Sequence, residues 1–173
     1  VRVEIASGDP LDVRSFAITE RVSELSRVEV RAVSRCLTID FDEVVGKDAS
    51  FELATATWVL RATGVVSEIE QVRVDEAGLA TYRVVLVPRA WLMSQRKNYR
   101  IFQYLSELAI VEKLLGEWGL DYEARIGREH KPRKYRVQYD ESDLDFVTRM
   151  LSDAGIAFFF ETTDGGTKLV LDD

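Results

Sequence analysis

Apolar and polar positions alternate through much of the first hundred residues. Val1, Val3 and Ile5 alternate with Arg2 and Glu4, Val28, Val30 and Ala32 with Glu29 and Arg31, and Tyr82, Val84 and Leu86 with Arg83. A period of two places the apolar side chains on one face, which predicts antiparallel strands with one solvated side. Arg35-Cys36-Leu37-Thr38-Ile39 reads as a further strand. Turn signals separate these runs at Ser7-Gly8-Asp9-Pro10, Val45-Gly46-Lys47-Asp48 and Asp75-Glu76-Ala77-Gly78. Short strands at this spacing predict a closed or nearly closed barrel, because closure removes exposed edges.

The period lengthens in the second part of the chain. Ser106 is placed to cap a helix whose stripe is Ile110, Val111, Leu114, Leu115 and Trp118, ending at Gly119. The Gly127–Arg133 stretch, with Pro132, reads as a loop. Ser142 stands three residues before Asp145, a spacing that lets each side chain satisfy a free backbone N–H of a first helical turn. Leu144, Val147, Leu151 and Ala154 then form one apolar face, and Gly155 stops the helix. Ile156-Ala157-Phe158-Phe159-Phe160 and Leu169-Val170-Leu171 read as a hairpin about an Asp164-Gly165-Gly166 turn. The fold class expected is mainly β with an α+β part: an antiparallel barrel-like domain over residues 1–98, then a smaller α+β domain over 99–173.

Two blocks of sequence resemble a known family. Tyr135-Arg136-Val137-Gln138-Tyr139, Glu141-Ser142-Asp143-Leu144-Asp145-Phe146-Val147, Gly155-Ile156-Ala157-Phe158-Phe159-Phe160-Glu161 and Leu169-Val170-Leu171-Asp172-Asp173 form one. Tyr82-Arg83-Val84-Val85-Leu86-Val87-Pro88, Trp91-Leu92 and Tyr99-Arg100-Ile101-Phe102-Gln103 form the other. They resemble the VgrG spike proteins of bacterial type VI secretion systems, and the hub proteins of contractile phage tails (late control protein D) are similar. The likeness covers roughly residues 50–173, and residues 1–49 match loosely. It implies a structural hub that trimerises in the full-length protein at the base of a puncturing needle. The implied partners are an Hcp-like secretion-tube ring and effector proteins or their adaptors. It also implies assembly in the cytoplasm followed by export through the contractile apparatus, and it carries no catalytic residues. A phage or phage-derived injection particle is the alternative setting.

Composition narrows the functional classes. With 46% hydrophobic and 10% aromatic residues, the 173-residue chain can bury a core. No apolar run is long enough to span a bilayer and there is no signal peptide, so stable membrane insertion is not expected. The chain opens on Val1 and stops at Asp172-Asp173 directly after a strand, so a fragment of a longer protein is expected. A net charge of −7 argues against general nucleic-acid binding, which needs a basic surface. The single Cys36 excludes an intrachain disulfide and reads as an inert, partly buried thiol.

Candidate chemistry is sparse, and no cofactor, metal site or catalytic residue is expected. Asp140, Glu141, Asp143 and Asp145 could serve a hydrolase as a carboxylate pair, but acids in a first helical turn are favoured by the helix dipole. The sole histidine, His130, reads as a solvent-exposed loop residue without a nucleophile nearby. Gly165-Gly166 lacks the flanking pattern of a phosphate loop. Trp91, Leu92 and Met93 read as core. The one asymmetry that points to a partner is a basic stretch. Arg125, Arg128, Lys131, Arg133, Lys134 and Arg136 stand against Glu129 alone, whereas nine acids face only Arg149 and Lys168 from Val137 to Asp173. The six basic residues are candidates for a protein interface.

Overall fold

In the computed structural model, which describes residues 1–163 and 165–173, the chain divides into two compact units. The first gathers Val1–Glu20, Ser26–Arg89 and Thr162–Thr167; the second gathers Arg21–Leu25, Ala90–Glu161 and Lys168–Asp173.

The alternating segments of the first unit become β1 (Arg2–Ile5), β2 (Asp12–Thr19), β3 (Arg27–Ser34), β4 (Asp48–Ala54), β5 (Val59–Val74) and β6 (Ala80–Val87). They form one antiparallel sheet in the order β1-β4-β5-β6-β3-β2. Register shifts at Val13/Ser15 in β2 and at Val66/Glu68 and Gln71/Arg73 in β5 bend the strands, so the sheet curls. The result is a half-barrel with β1 and β2 as its edges. Val30, Phe51, Val66, Tyr82 and Val84 fill the concave side and are fully buried. The convex side carries charge at the same period: Arg83 bonds Glu29 and Glu68, which Arg27 also pairs. On β5, Gly64 lies so close to the Val87 carbonyl that a Cβ there would sit 2.0 Å from its oxygen. Only glycine fits that contact.

The strand expected at Arg35–Ile39 does not form. After Ser34 the backbone turns away, and its polar groups are met by side chains instead of a ladder. Ser34 Oγ accepts from Cys36 N at 3.1 Å, the Tyr82 hydroxyl donates to Cys36 O at 2.9 Å, and Gln71 Nε2 donates to Leu37 O at 2.9 Å. Three fixed side chains here outcompete β propensity. Cys36 is half-buried against the core.

Beyond β6 a 3-10 segment (Arg89–Gln95) leads to β7 (Lys97–Leu105), α1 (Glu107–Glu117), β8 (Tyr122–Arg125), β9 (Arg133–Ser142), α2 (Asp143–Ala154), β10 (Ala157–Thr163) and β11 (Gly166–Asp172), which make up the second unit apart from Arg89 and the facing ends of β10 and β11. Strands β7 and β9 pair as an antiparallel ribbon, and β10-β11-β8 form a second sheet in which β8 and β11 run parallel. Of the turn expected at Asp164-Gly165-Gly166, Asp164 lies outside the described residues. Met93 is fully buried with the helices, while Trp91 and Leu92 are half-buried.

Both helix starts follow the sequence reading. Ser106 Oγ accepts from Ala109 N at 3.2 Å, and Ser142 Oγ accepts from Asp145 N at 3.0 Å. The reciprocal half of the second cap differs from expectation. The Asp145 carboxylate takes the Ser142 hydroxyl at 2.6 Å, and the N–H at the first helical position, Asp143 N, goes to Arg96 O at 3.0 Å. Gly155, at φ 69°, ends α2 with Ile156 N bonded to Leu151 O, the reversal that a left-handed residue permits. The buried face of α2 is centred on Phe146, Val147, Met150 and Leu151, with Leu144 and Ala154 on its margins.

Candidate interaction site

The acids between Asp140 and Asp153 are all engaged. Asp143 is fully buried and accepts four side-chain bonds: from Gln138 Nε2 at 2.8 Å and Asn98 Nδ2 at 2.9 Å on Oδ1, and from Arg96 Nε at 2.7 Å and Trp118 Nε1 at 2.9 Å on Oδ2. Burial disfavours its charge, but donation from Gln138, Asn98, Trp118 and Arg96 outweighs that and holds the carboxyl below its ordinary value. The Arg96 guanidinium also lies 4.7 Å over the Trp118 ring. Glu141 pairs with Arg149, Asp140 lies 3.8 Å from Lys97, and Asp153 lies 3.9 Å from Arg136. Each carboxylate therefore has a cation, a cap or a buried donor set as its partner. Among the described residues no group of three or more His, Cys, Asp or Glu is placed to hold a metal ion.

Four of the six basic candidates form ion pairs within the chain. Arg133 Nε donates to Glu107 Oε1 at 3.0 Å and Arg136 Nε to the same oxygen at 2.9 Å. Burial works against the Glu107 charge, and bonds from Arg136, its own backbone and Arg133 lower its pKa regardless. Arg125 grips Glu161 through two bonds of 2.8 Å and Glu123 through one of 2.7 Å. Arg128 Nε donates to Asp173 at 3.1 Å. Lys131 and Lys134 are exposed and form no ion pair among the described residues.

His130 departs from the solvent-exposed reading. Its side chain is only 10% exposed, and Nε2 lies 3.3 Å from Asp173 Oδ2. Asp173 also accepts from Gly127 N at 2.8 Å and Arg128 N at 3.2 Å. These bonds, the one from Gly127 foremost, pull its pKa to about 2. The loop from Gly127 to Arg133 is thus wrapped around one carboxylate 43 to 46 residues downstream. Separation of that size left no local signal to read.

The feature that sequence reasoning missed is the outward face of the β7–β9 ribbon. The register pairs Tyr99 with Tyr139, Ile101 with Val137 and Gln103 with Tyr135. The intervening Phe102 and Gln138 are buried. Tyr99, Ile101, Tyr104, Tyr135, Val137 and Tyr139 are 37% to 75% exposed. Tyr99 and Tyr139 meet edge to face, 5.2 Å between ring centroids. A period-two signal was present in Tyr135, Val137 and Tyr139, but alternation alone does not say which face is covered.

The profile of the phage tail baseplate hub (GPD) family matches residues 19–173. The chain belongs to that hub family. It is 33% identical over 168 residues to the type VI secretion system spike protein VgrG4b of Pseudomonas aeruginosa, covering 94% of this chain and 20% of the relative. It is 30% identical over 184 residues to the actin cross-linking toxin VgrG1 of Vibrio cholerae, covering all of this chain and 17% of the relative. Among solved structures, the E. coli c3393 protein superposes over the whole chain with a TM-score of 0.90 at 29% identity. That protein is described as a type VI secretion component with structural similarity to the T4 tail proteins gp27 and gp5, and this hub-family chain covers 49% of it. A Neisseria meningitidis tail protein shares the fold, with a TM-score of 0.63 at 10% identity over 98% of this chain and 48% of its own. The chain spans about a fifth of the length of the curated relatives named here.

Proposed function

We propose that this chain is the hub portion of a VgrG-like spike, a structural part of a type VI secretion apparatus rather than an enzyme. The observation that carries this reading is whole-chain superposition on the c3393 secretion component at 29% identity. The engagement of every acid from Asp140 to Asp153 supports it, since a hydrolase needs carboxylates free to meet substrate. On this reading three copies of the full-length protein assemble at the base of the needle. They seat on the ring of a secretion-tube protein and leave the cell with effector proteins. The basic stretch contributes to those contacts through Lys131 and Lys134, while Arg125, Arg128, Arg133 and Arg136 shape the fold.

The family match favours one second reading, a hub of a contractile phage or phage-derived injection particle. Deletion of the reading frame in its host separates the two. The spike reading expects release of the tube protein into the medium to stop and to return on complementation. Unchanged tube release with loss of tailed particles would establish the phage reading instead.

A further inference from the structure

We infer that an open cleft at the edges of the half-barrel binds a small ligand bearing a phosphate monoester. The inference stands apart from the spike reading and lies wholly within the first unit. Strands β1 and β2 are the two edges of the sheet, each paired on one side only. The starts of both strands and the end of β3 border a cleft of about 620 Å³. That volume is in the range of pockets that hold a small molecule.

The cleft combines apolar sides with concentrated positive charge. Val3, Leu11, Val33 and Leu79 supply the sides. Arg2, Arg14 and Arg35 bring three guanidiniums, and among the described residues lining the cleft Asp12 alone carries a carboxylate. Three cations less one anion leave a local balance of +2 on a chain of net charge −7. Like charges set among apolar walls repel one another and focus their field on the space they enclose, which favours an anion there.

These donors are also short of acceptors. Arg14 pairs with Asp12 at 2.7 Å, but Arg2 lies 3.8 Å from Glu4. Arg35 is exposed, and its side chain has no ion pair or hydrogen bond among the described residues. Ser34, 4% exposed, lines the same cleft. Its hydroxyl accepts from Cys36 N at 3.1 Å and finds no acceptor for its own proton among the described residues. A buried hydroxyl and poorly neutralised guanidiniums thus form a donor set without an acceptor.

Guanidinium forks match phosphate oxygens two at a time. The apolar sides suit an organic body behind the phosphate. Soluble esters and lipid headgroups present the same group. NMR titration of the isotope-labelled 173-residue protein with phenyl phosphate and with inorganic phosphate tests the cleft, with circular dichroism confirming that each variant is folded. The expected result is a saturable set of shifts centred on Val3, Leu11, Ser34 and Arg35, with phenyl phosphate bound more tightly than inorganic phosphate. R35E and R2E should each weaken binding about tenfold, the scale of one charge-assisted hydrogen bond. R31E makes the same charge change beside Arg83 on the convex side and should leave binding unchanged. D12N removes the opposing carboxylate and should tighten binding, a gain that no folding defect imitates. Flotation with phosphatidic acid vesicles separates the sources. Binding of phenyl phosphate without the vesicles assigns a soluble ester, and vesicle binding that R35E abolishes assigns a lipid headgroup. No binding of either probe, equal losses in R35E and R31E, or weaker binding in D12N would each overturn the phosphate site. None of these outcomes bears on tube-protein release, which tests the spike reading separately.

Discussion

Trp118 donates its indole N–H to Asp143 Oδ2 at 2.9 Å, tying the end of α1 to the first residue of α2. Arg96 just ahead of β7, Asn98 in β7 and Gln138 in β9 complete the set around the same carboxylate. One buried charge thus fixes four elements of the second unit. The ribbon and the helices it covers hold their places through a polar centre as well as the Phe146, Met150 and Leu114 core.

Asp143→Ala is expected to destabilise the protein by about 3 kcal/mol, the lower part of the range for removing one partner of a buried ion pair. Arg96 is 43% exposed and can regain water, which moderates the loss. Trp118 and Gln138 are left with unmet donors. Urea melts followed by tryptophan fluorescence will show it, and a midpoint equal to wild type would remove Asp143 from its central place.

Ser142→Ala is expected to cost about 1 kcal/mol, the usual loss of an N-cap hydroxyl. Both the Asp145 N–H and the Asp145 carboxylate lose a partner. The urea midpoint should fall at constant slope. An unmoved midpoint with an unmoved slope would mean that the hydroxyl does not cap α2.

Local signals foretold the local structure. β1, β3, β6, both helix caps and both glycine stops were legible because each depends on residues within a few positions. The face of α2 was only half legible: Leu144, Val147, Leu151 and Ala154 fit a helical period, yet Phe146 and Met150 are the residues driven fully inside. Which side of an amphipathic helix is covered depends on the neighbouring ribbon. The Asp143 donors lie 5, 25, 45 and 47 residues away, and the Asp173 contacts 43 to 46. Tertiary pairings of that range leave no pattern in one sequence, so His130 looked like an open loop residue and Arg133 and Arg136 looked like free surface charge.

Stability should decline on acidification. Asp143, Glu107 and Asp173 all have folded-state pKa values below their ordinary ones, Asp173 about 2. A depressed carboxylate contributes stability that is full above its unfolded pKa near ~4 and is lost as pH falls toward the folded value. The urea midpoint is therefore expected to be level from pH 7 to about 5 and to drop between about 5 and 2. Asp143→Asn should flatten part of that drop. A midpoint that rises on acidification would contradict these assignments.

The spike reading makes this chain the hub of a three-copy assembly. Sedimentation velocity of the protein expressed from its complete reading frame, at micromolar concentration in moderate salt, tests it most directly. A homotrimer is the predicted result; a full-length protein that remains monomeric would contradict it.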